Sequence, residues 1–149
     1  MTATATQTTV KIEPYLFFDG RCEEAIAFYK EALGAEVLMT MRYKDMPPEA
    51  AAQGKMPPEA ADKIMHTSLM IGETRVMAAD HCGQGAHPKF DGFSLSIGAS
   101  DEATATKMFN ALAKGGQVRM PLGKTFFSPC FGMVADKFGV GWMVIVAQN

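Results

Sequence analysis

The chain has 149 residues, 48% of them hydrophobic, and a formal charge of −2 with both signs interspersed, which allows a real core and offers no basic stripe for neutralising phosphates. Nucleic acid is therefore not an expected partner, and no apolar run nears the ~20 residues that span a bilayer, so no membrane role is expected. Three cysteines without CxxC spacing suit a reducing cytoplasm, the expected location, better than a disulfide framework.

Residues 1–9, a Thr/Ala tract without the basic start and apolar core of a signal peptide, are expected to form a disordered tail. A first strand is expected over Val10 to Phe18. A helix should follow from Cys22 to Leu33, where Ile26, Tyr29 and Leu33 share a face, Glu23 and Glu24 complement the positive end of the dipole, and Gly34 terminates it. Residues 35–43 read as the next strand. Residues 44–63 form an insertion in which Met-Pro-Pro-Glu-Ala-Ala occurs twice, at 46–51 and 56–61; it reads as a surface loop, with a methionine-bearing lid over a ligand cavity as the alternative.

Ile64 to Ile71 and Thr74 to Ala79 have the alternation of a hairpin. In the first of these strands Met65, Thr67, Leu69 and Ile71 fall on one face and His66, Ser68 and Met70 on the other. Asp80, His81, Cys82 and His87 are metal-competent but lack the paired spacing of a structural zinc site, and Gly83 and Gly85 mark a loop. Ser94 and Ser96 share a face of the strand Phe93 to Ile97. A second helix is expected over 101–114, capped by Ser100, with Ala105, Met108 and Leu112 as its buried stripe. The chain ends in a hairpin around Asp136 to Gly139. Phe126, Phe127, Phe131, Met133 and Val134 precede the turn, and Val140, Trp142, Val144 and Val146 follow it.

Residues 16–37 and 95–118 repeat one order of strand, acidic turn, helix, glycine, strand, and each continues into two more strands. The fold class is thus α+β, two βαβββ modules forming cupped mixed sheets with helices on the outer faces. Residues 10–82 make the first module, with 44–63 as its insertion loop, and 83–149 the second, together one structural domain. These modules, the segment Cys22 to Tyr29 with Leu33-Gly34, and Phe131-Gly132 followed by Asp136 to Val140 and Trp142 resemble the PhnB-like branch of the glyoxalase/bleomycin-resistance (vicinal oxygen chelate) superfamily. The resemblance covers residues 12–146 and implies a ligand cavity on the concave face of the sheets.

His66, Ser68, Met70, Ser94, Ser96 and Trp142 are the candidate ligand-binding residues, and His66 is the candidate catalytic one. A hydrogen-bonded, purely structural histidine is the plainer alternative for His66. The resemblance also implies two His and two Glu as metal ligands, the last a Glu shortly after the turn glycine. Val140, Gly141, Trp142 and Met143 stand there instead, and His66, Asp91 and Glu13 are leftovers that could bind a divalent ion only in a different geometry, so no metal site or cofactor is expected. A ubiquinone-pathway methyltransferase label attaches to this branch, but no G-x-G-x-x-G segment serves an adenosyl cofactor. The expectation is a small-molecule binding protein and homodimer, with a metal-dependent glyoxalase- or dioxygenase-like enzyme centred on His66 as the alternative.

Overall fold

The computed structural model describes residues 9–47, 58–81 and 88–147. The order is β1 (Tyr15–Phe18), α1 (Cys22–Leu33), β2 (Glu36–Arg42), two short 3-10 turns (Tyr43–Asp45 and Pro58–Ala60), β3 (Ile64–Ile71), β4 (Thr74–Asp80), β5 (Leu95–Ala99), α2 (Glu102–Ala113), β6 (Gln117–Gly123), β7 (Cys130–Ala135) and β8 (Gly141–Val146). The strands form two four-stranded mixed sheets, ordered β1-β4-β3-β2 and β5-β8-β7-β6, each with one parallel pair, β1 on β4 and β5 on β8. Two βαβββ modules are therefore present, as the internal repeat predicts. The tail, most of the Met-Pro-Pro-Glu-Ala-Ala repeat and the linker with Cys82 and His87 lie outside the described residues.

Each helix lies over one sheet, and a single buried cluster joins Leu16, Phe18, Tyr29 and Leu69 of the first module to Phe109, Leu112, Val134 and Trp142 of the second. Fully burying a large apolar side chain contributes roughly 1.5–3 kcal/mol, so this shared core ties the modules together. Among the described residues the opposite face of each sheet, the open face, carries no helix. α1 buries Cys22, Ala25, Tyr29 and Leu33, whereas Ile26 of the expected stripe is only partly buried. α2 buries Phe109 with Ala105 and Leu112, where the stripe reading had Met108.

Asp101, not Ser100, caps α2: its Oδ1 accepts from the Thr104 N–H at 2.7 Å. α1 has no side-chain cap of its own. Its free Cys22 N–H donates at 2.9 Å to Oδ1 of Asp80, and Oδ2 of the same carboxylate accepts from Ile64 N–H at 3.0 Å. Asp80, at the end of β4, thus satisfies a helix terminus and the start of β3 at once, a use of a buried carboxylate that needs no metal.

The first strand begins at Tyr15 rather than Val10. Phe126 and Phe127 lie in the β6–β7 connection, not in the terminal hairpin, and Phe126 is 94% exposed. Extra residues in three strands break strict alternation. Between the pairs Arg42↔Ile64 and Met41↔His66, β3 holds the extra residue Met65, which returns Ile64 to the core; Leu38 is extra in β2 and Arg119 in β6.

Candidate functional site

On the first sheet the register aligns Tyr15, Met77, Ser68 and Met39 in one row across β1, β4, β3 and β2, with Met41 opposite His66 beside it. Leu16, Phe18, Leu69 and Val76 pack on the core, so the alternate residues of these strands, His66, Ser68 and Met70 among them, occupy the open face. The Tyr15 hydroxyl and His66 Nδ1 are 2.9 Å apart, their rings 5.5 Å centroid to centroid, and Ser68 Oγ lies 3.4 Å from His66 Nε2. Phe17 stacks on Tyr15 at 4.9 Å. Burial, and secondarily Cys22, raises the Tyr15 pKa above its ordinary 10.0, so its hydroxyl is protonated at neutral pH. A tyrosine O–H donating to Nδ1 leaves the proton of a neutral imidazole on Nε2, facing Ser68. The arrangement orients a polar tip in a methionine- and aromatic-lined surface.

On the second sheet Leu95 and Ile97 pack toward the core, which leaves Ser94 and Ser96 on the open side. Arg119 was not apparent as a site residue from sequence alone. It is the extra residue between the pairs Val118↔Val134 and Met120↔Met133, and its guanidinium reaches past β7 to Gly141 on β8. A Cβ on Gly141 would lie 3.0 Å from Ser94 Oγ, 3.3 Å from the Phe93 carbonyl oxygen and 3.4 Å from Arg119 Nη1, so the close approach of these groups leaves little room for a side chain there.

The predicted residues do not form one group. Ser94, Ser96 and Trp142 border a cavity of about 600 Å³ between the modules, lined also by Leu33, Ile71 and Met108, and His66, Ser68 and Met70 are absent from its wall. Trp142 lies on the core side, 3% exposed, with Nε1–H donating to Asp136 Oδ2 at 2.9 Å. That indole is committed to structure, whatever its edge contributes to the cavity. Cys22 is buried, and burial with the nearby Asp80 and Glu23 carboxylates drives its thiol pKa far above the ordinary value, so it is no nucleophile at neutral pH.

A metal of the superfamily type does not fit the residues here. Both His66 nitrogens face protein groups, Glu13 is paired with Arg75 at 2.9 Å, and among the described residues no three His, Cys, Asp or Glu side chains gather in a metal-holding group. An adenosyl cofactor fits no better. The strand-to-helix turns, Asp19-Gly20-Arg21 and Ser100-Asp101, lack a glycine-rich cradle, and Asp101 itself occupies the α2 N-terminus.

Paired βαβββ modules of this kind define the vicinal oxygen chelate fold, shared with glyoxalase/bleomycin-resistance/dioxygenase domains at about 15% identity, which shows the fold alone. Residues 10–145 match the family described as 3-demethylubiquinone-9 3-methyltransferase, and the chain belongs to that PhnB-like family. It is 34% identical to Protein YjdN of Escherichia coli (strain K12) over 144 residues, 93% of this chain and 96% of that one. Protein PA1353 of Pseudomonas aeruginosa superposes with a TM-score of 0.83 at 39% identity, covering 95% of this chain and 100% of that one. A putative 3-demethylubiquinone-9 3-methyltransferase, PhnB protein, of Bacillus cereus does so with a TM-score of 0.75 at 29% identity, over 93% and 100%.

Proposed function

We propose that this PhnB-like protein binds a small, partly apolar organic molecule on the open faces of its sheets, and that it does so as a homodimer. The observation that carries the reading is the Tyr15–His66–Ser68 chain, a hydrogen-bonding tip set among Phe17, Met39, Met41 and Met77, with no metal-holding group of three His, Cys, Asp or Glu among the described residues. Dimerisation is supported by apolar side chains left on the surface, including Phe17, Met39, Phe93, Met120 and Phe126. The methyltransferase description of the family names a reaction for which neither strand-to-helix turn supplies a cofactor cradle.

The test is thermal melting of the full chain against neutral and charged aromatic and aliphatic fragments, with and without added divalent metal. A fragment at ~100 times its Kd stabilises by about 2.7 kcal/mol, several degrees here, and Tyr15→Phe and His66→Ala should diminish that shift. Metal should bind weakly and indifferently to His66→Ala. Stoichiometric Ni²⁺, Zn²⁺, Mn²⁺ or Fe²⁺ lost on that substitution would establish the metal-dependent enzyme instead.

A further inference from the structure

We infer that the cavity between the modules is a slot for an extended peptide, which adds as a strand to the free edge of β5 and sets a cationic end at Glu73. β5 is the last strand of its sheet and pairs with β8 alone; among the described residues no backbone hydrogen bond joins it to any other segment. The cavity of about 600 Å³ is lined by every residue from Ser94 to Ser100. Successive strand residues point to opposite faces, so a cavity that touches all of them runs along the edge of the strand, where unpaired N–H and C=O groups stand in a row. An extended chain is the ligand chemistry that satisfies such a row. The slot shares no residue with the Tyr15–His66–Ser68 chain, so the inference goes beyond the open-face reading and stands apart from it.

The rest of the slot fits the same occupant. Its volume lies within the roughly 300–1,000 Å³ of small-molecule sites, and β5 is five residues long, which matches a peptide of that length. Leu33, Ile71, Val76 and Met108 supply an apolar wall for the side chains that alternate off a bound strand. Gly98 has no positive φ, and a Cβ there would meet nothing within 4 Å, so neither backbone conformation nor packing within the chain asks for glycine at this point. A strand glycine of this kind is where another backbone can approach closely. Glu73, in the exposed β3–β4 turn, is the one charged residue of the wall and makes no ion pair among the described residues. Its carboxylate selects a cation, such as a free peptide amine, at that end of the slot.

The experiment titrates the full chain by calorimetry with the peptide amide Ala-Val-Thr-Val-Ala, free at its N-terminus. Two further forms carry backbone N-methyl groups, one on the second and fourth residues and the other on the third and fifth. Along a strand the N–H groups point alternately to its two edges, so one methylated form should lose about tenfold in affinity while the other binds nearly as the parent does. Acetylating the N-terminus should weaken binding about two- to fivefold, and Glu73→Gln should erase that difference. Gly98→Leu, which fills the slot from a position where nothing crowds the new side chain, should abolish binding without lowering the melting temperature. No binding of the parent peptide, identical affinities of the two methylated forms, or binding that survives Gly98→Leu overturns the strand addition. An acetylated peptide that binds as well as the free one overturns the role of Glu73. Peptide uptake that halves the mass seen in light scattering assigns the edge to a second copy of the chain and overturns the peptide as its occupant. The open-face reading is judged separately, by the response of fragment binding to Tyr15→Phe and His66→Ala.

Discussion

The phenol of Tyr29, on the helix of the first module, donates to Oδ2 of Asp136, in the last turn of the second, at 2.5 Å across 107 residues of sequence. The same oxygen accepts from Trp142 Nε1–H, and Oδ1 accepts from the N–H groups of Phe138 and Val140 at 2.9 and 3.1 Å. A buried carboxylate is tolerable because four donors replace its water. Phe138, in the turn so fixed, packs edge-on against Phe18, Phe28 and Tyr29 of the other module. Tyr29→Phe should therefore cost about 2 kcal/mol and lower the melting temperature by roughly 4–8 °C. Asp136→Ala, which strands two backbone donors and the indole, should cost roughly 3–5 kcal/mol. Urea titration measures both; a Tyr29→Phe loss within ~0.5 kcal/mol would show that the bridge is not a stabilising one.

The same phenol makes stability sensitive to alkali. Burial first, and then the neighbouring Asp136 charge, raises the Tyr29 pKa far above the ordinary 10.0, and burial does the same to Cys22 above its ordinary 9.0. Above those ordinary values the unfolded chain loses protons that the folded chain keeps, so the stability both groups contribute is fully present below about pH 9 and falls as pH rises beyond it. Urea midpoints at about pH 8 and about pH 10.5 should differ by less in Tyr29→Phe and Cys22→Ala than in the parent chain. Equal pH slopes in all three proteins would contradict the assignment.

Gly132 tests the packing of α2 on its sheet. A Cβ there would lie 2.8 Å from Phe109 Cε2, 3.0 Å from Leu122 Cδ2 and 3.1 Å from Leu122 Cα, the last a backbone atom that cannot swing away. Gly132→Ala is expected to destabilise by about 1–3 kcal/mol. Gly98, with nothing within 4 Å of the corresponding position, is the control, and Gly98→Ala should stay within ~0.5 kcal/mol. Indistinguishable denaturation curves for the two variants would argue that the helix yields freely.

What the sequence revealed follows the range of the physics. Helices and hairpins are local, so the 3.6-residue stripes, the acidic first turns and the β7–β8 turn at Asp136 to Gly139 announced themselves. Bulges are set by partners far along the chain. One extra residue at Met65 sends Ile64 to the core, and one at Arg119 aims a guanidinium at a strand two positions away, neither of which alternation can show. Trp142 shares its alternate set with Val140, Val144 and Val146, all buried, so its place on the core side was in the pattern, but its bond to Asp136 was not. Asp101 took the capping role from Ser100 because its carboxylate reaches Thr104 N–H at 2.7 Å, a distinction between two good adjacent caps that only coordinates make.

The proposed dimer supplies the last prediction. Phe126 is almost wholly exposed and its ring meets the neighbouring Phe127 ring at 5.1 Å, which in turn meets Phe131, while Phe17 and Met39 stand on the open face of the first sheet. Side chains of this size gain roughly 25 cal/mol for each Å² removed from water, so a second copy covering them outweighs the entropy of association only if several are buried together. Light scattering should return twice the chain mass. Phe126→Asp and Met39→Glu should each raise the dissociation constant by about tenfold or more if they sit near the centre of the contact. Their folding should be untouched, because neither side chain belongs to the buried core, so unchanged melting of a dissociated variant at low concentration separates lost association from lost structure. A chain that remains monomeric at all concentrations would instead leave both open faces to solvent and to ligand alone.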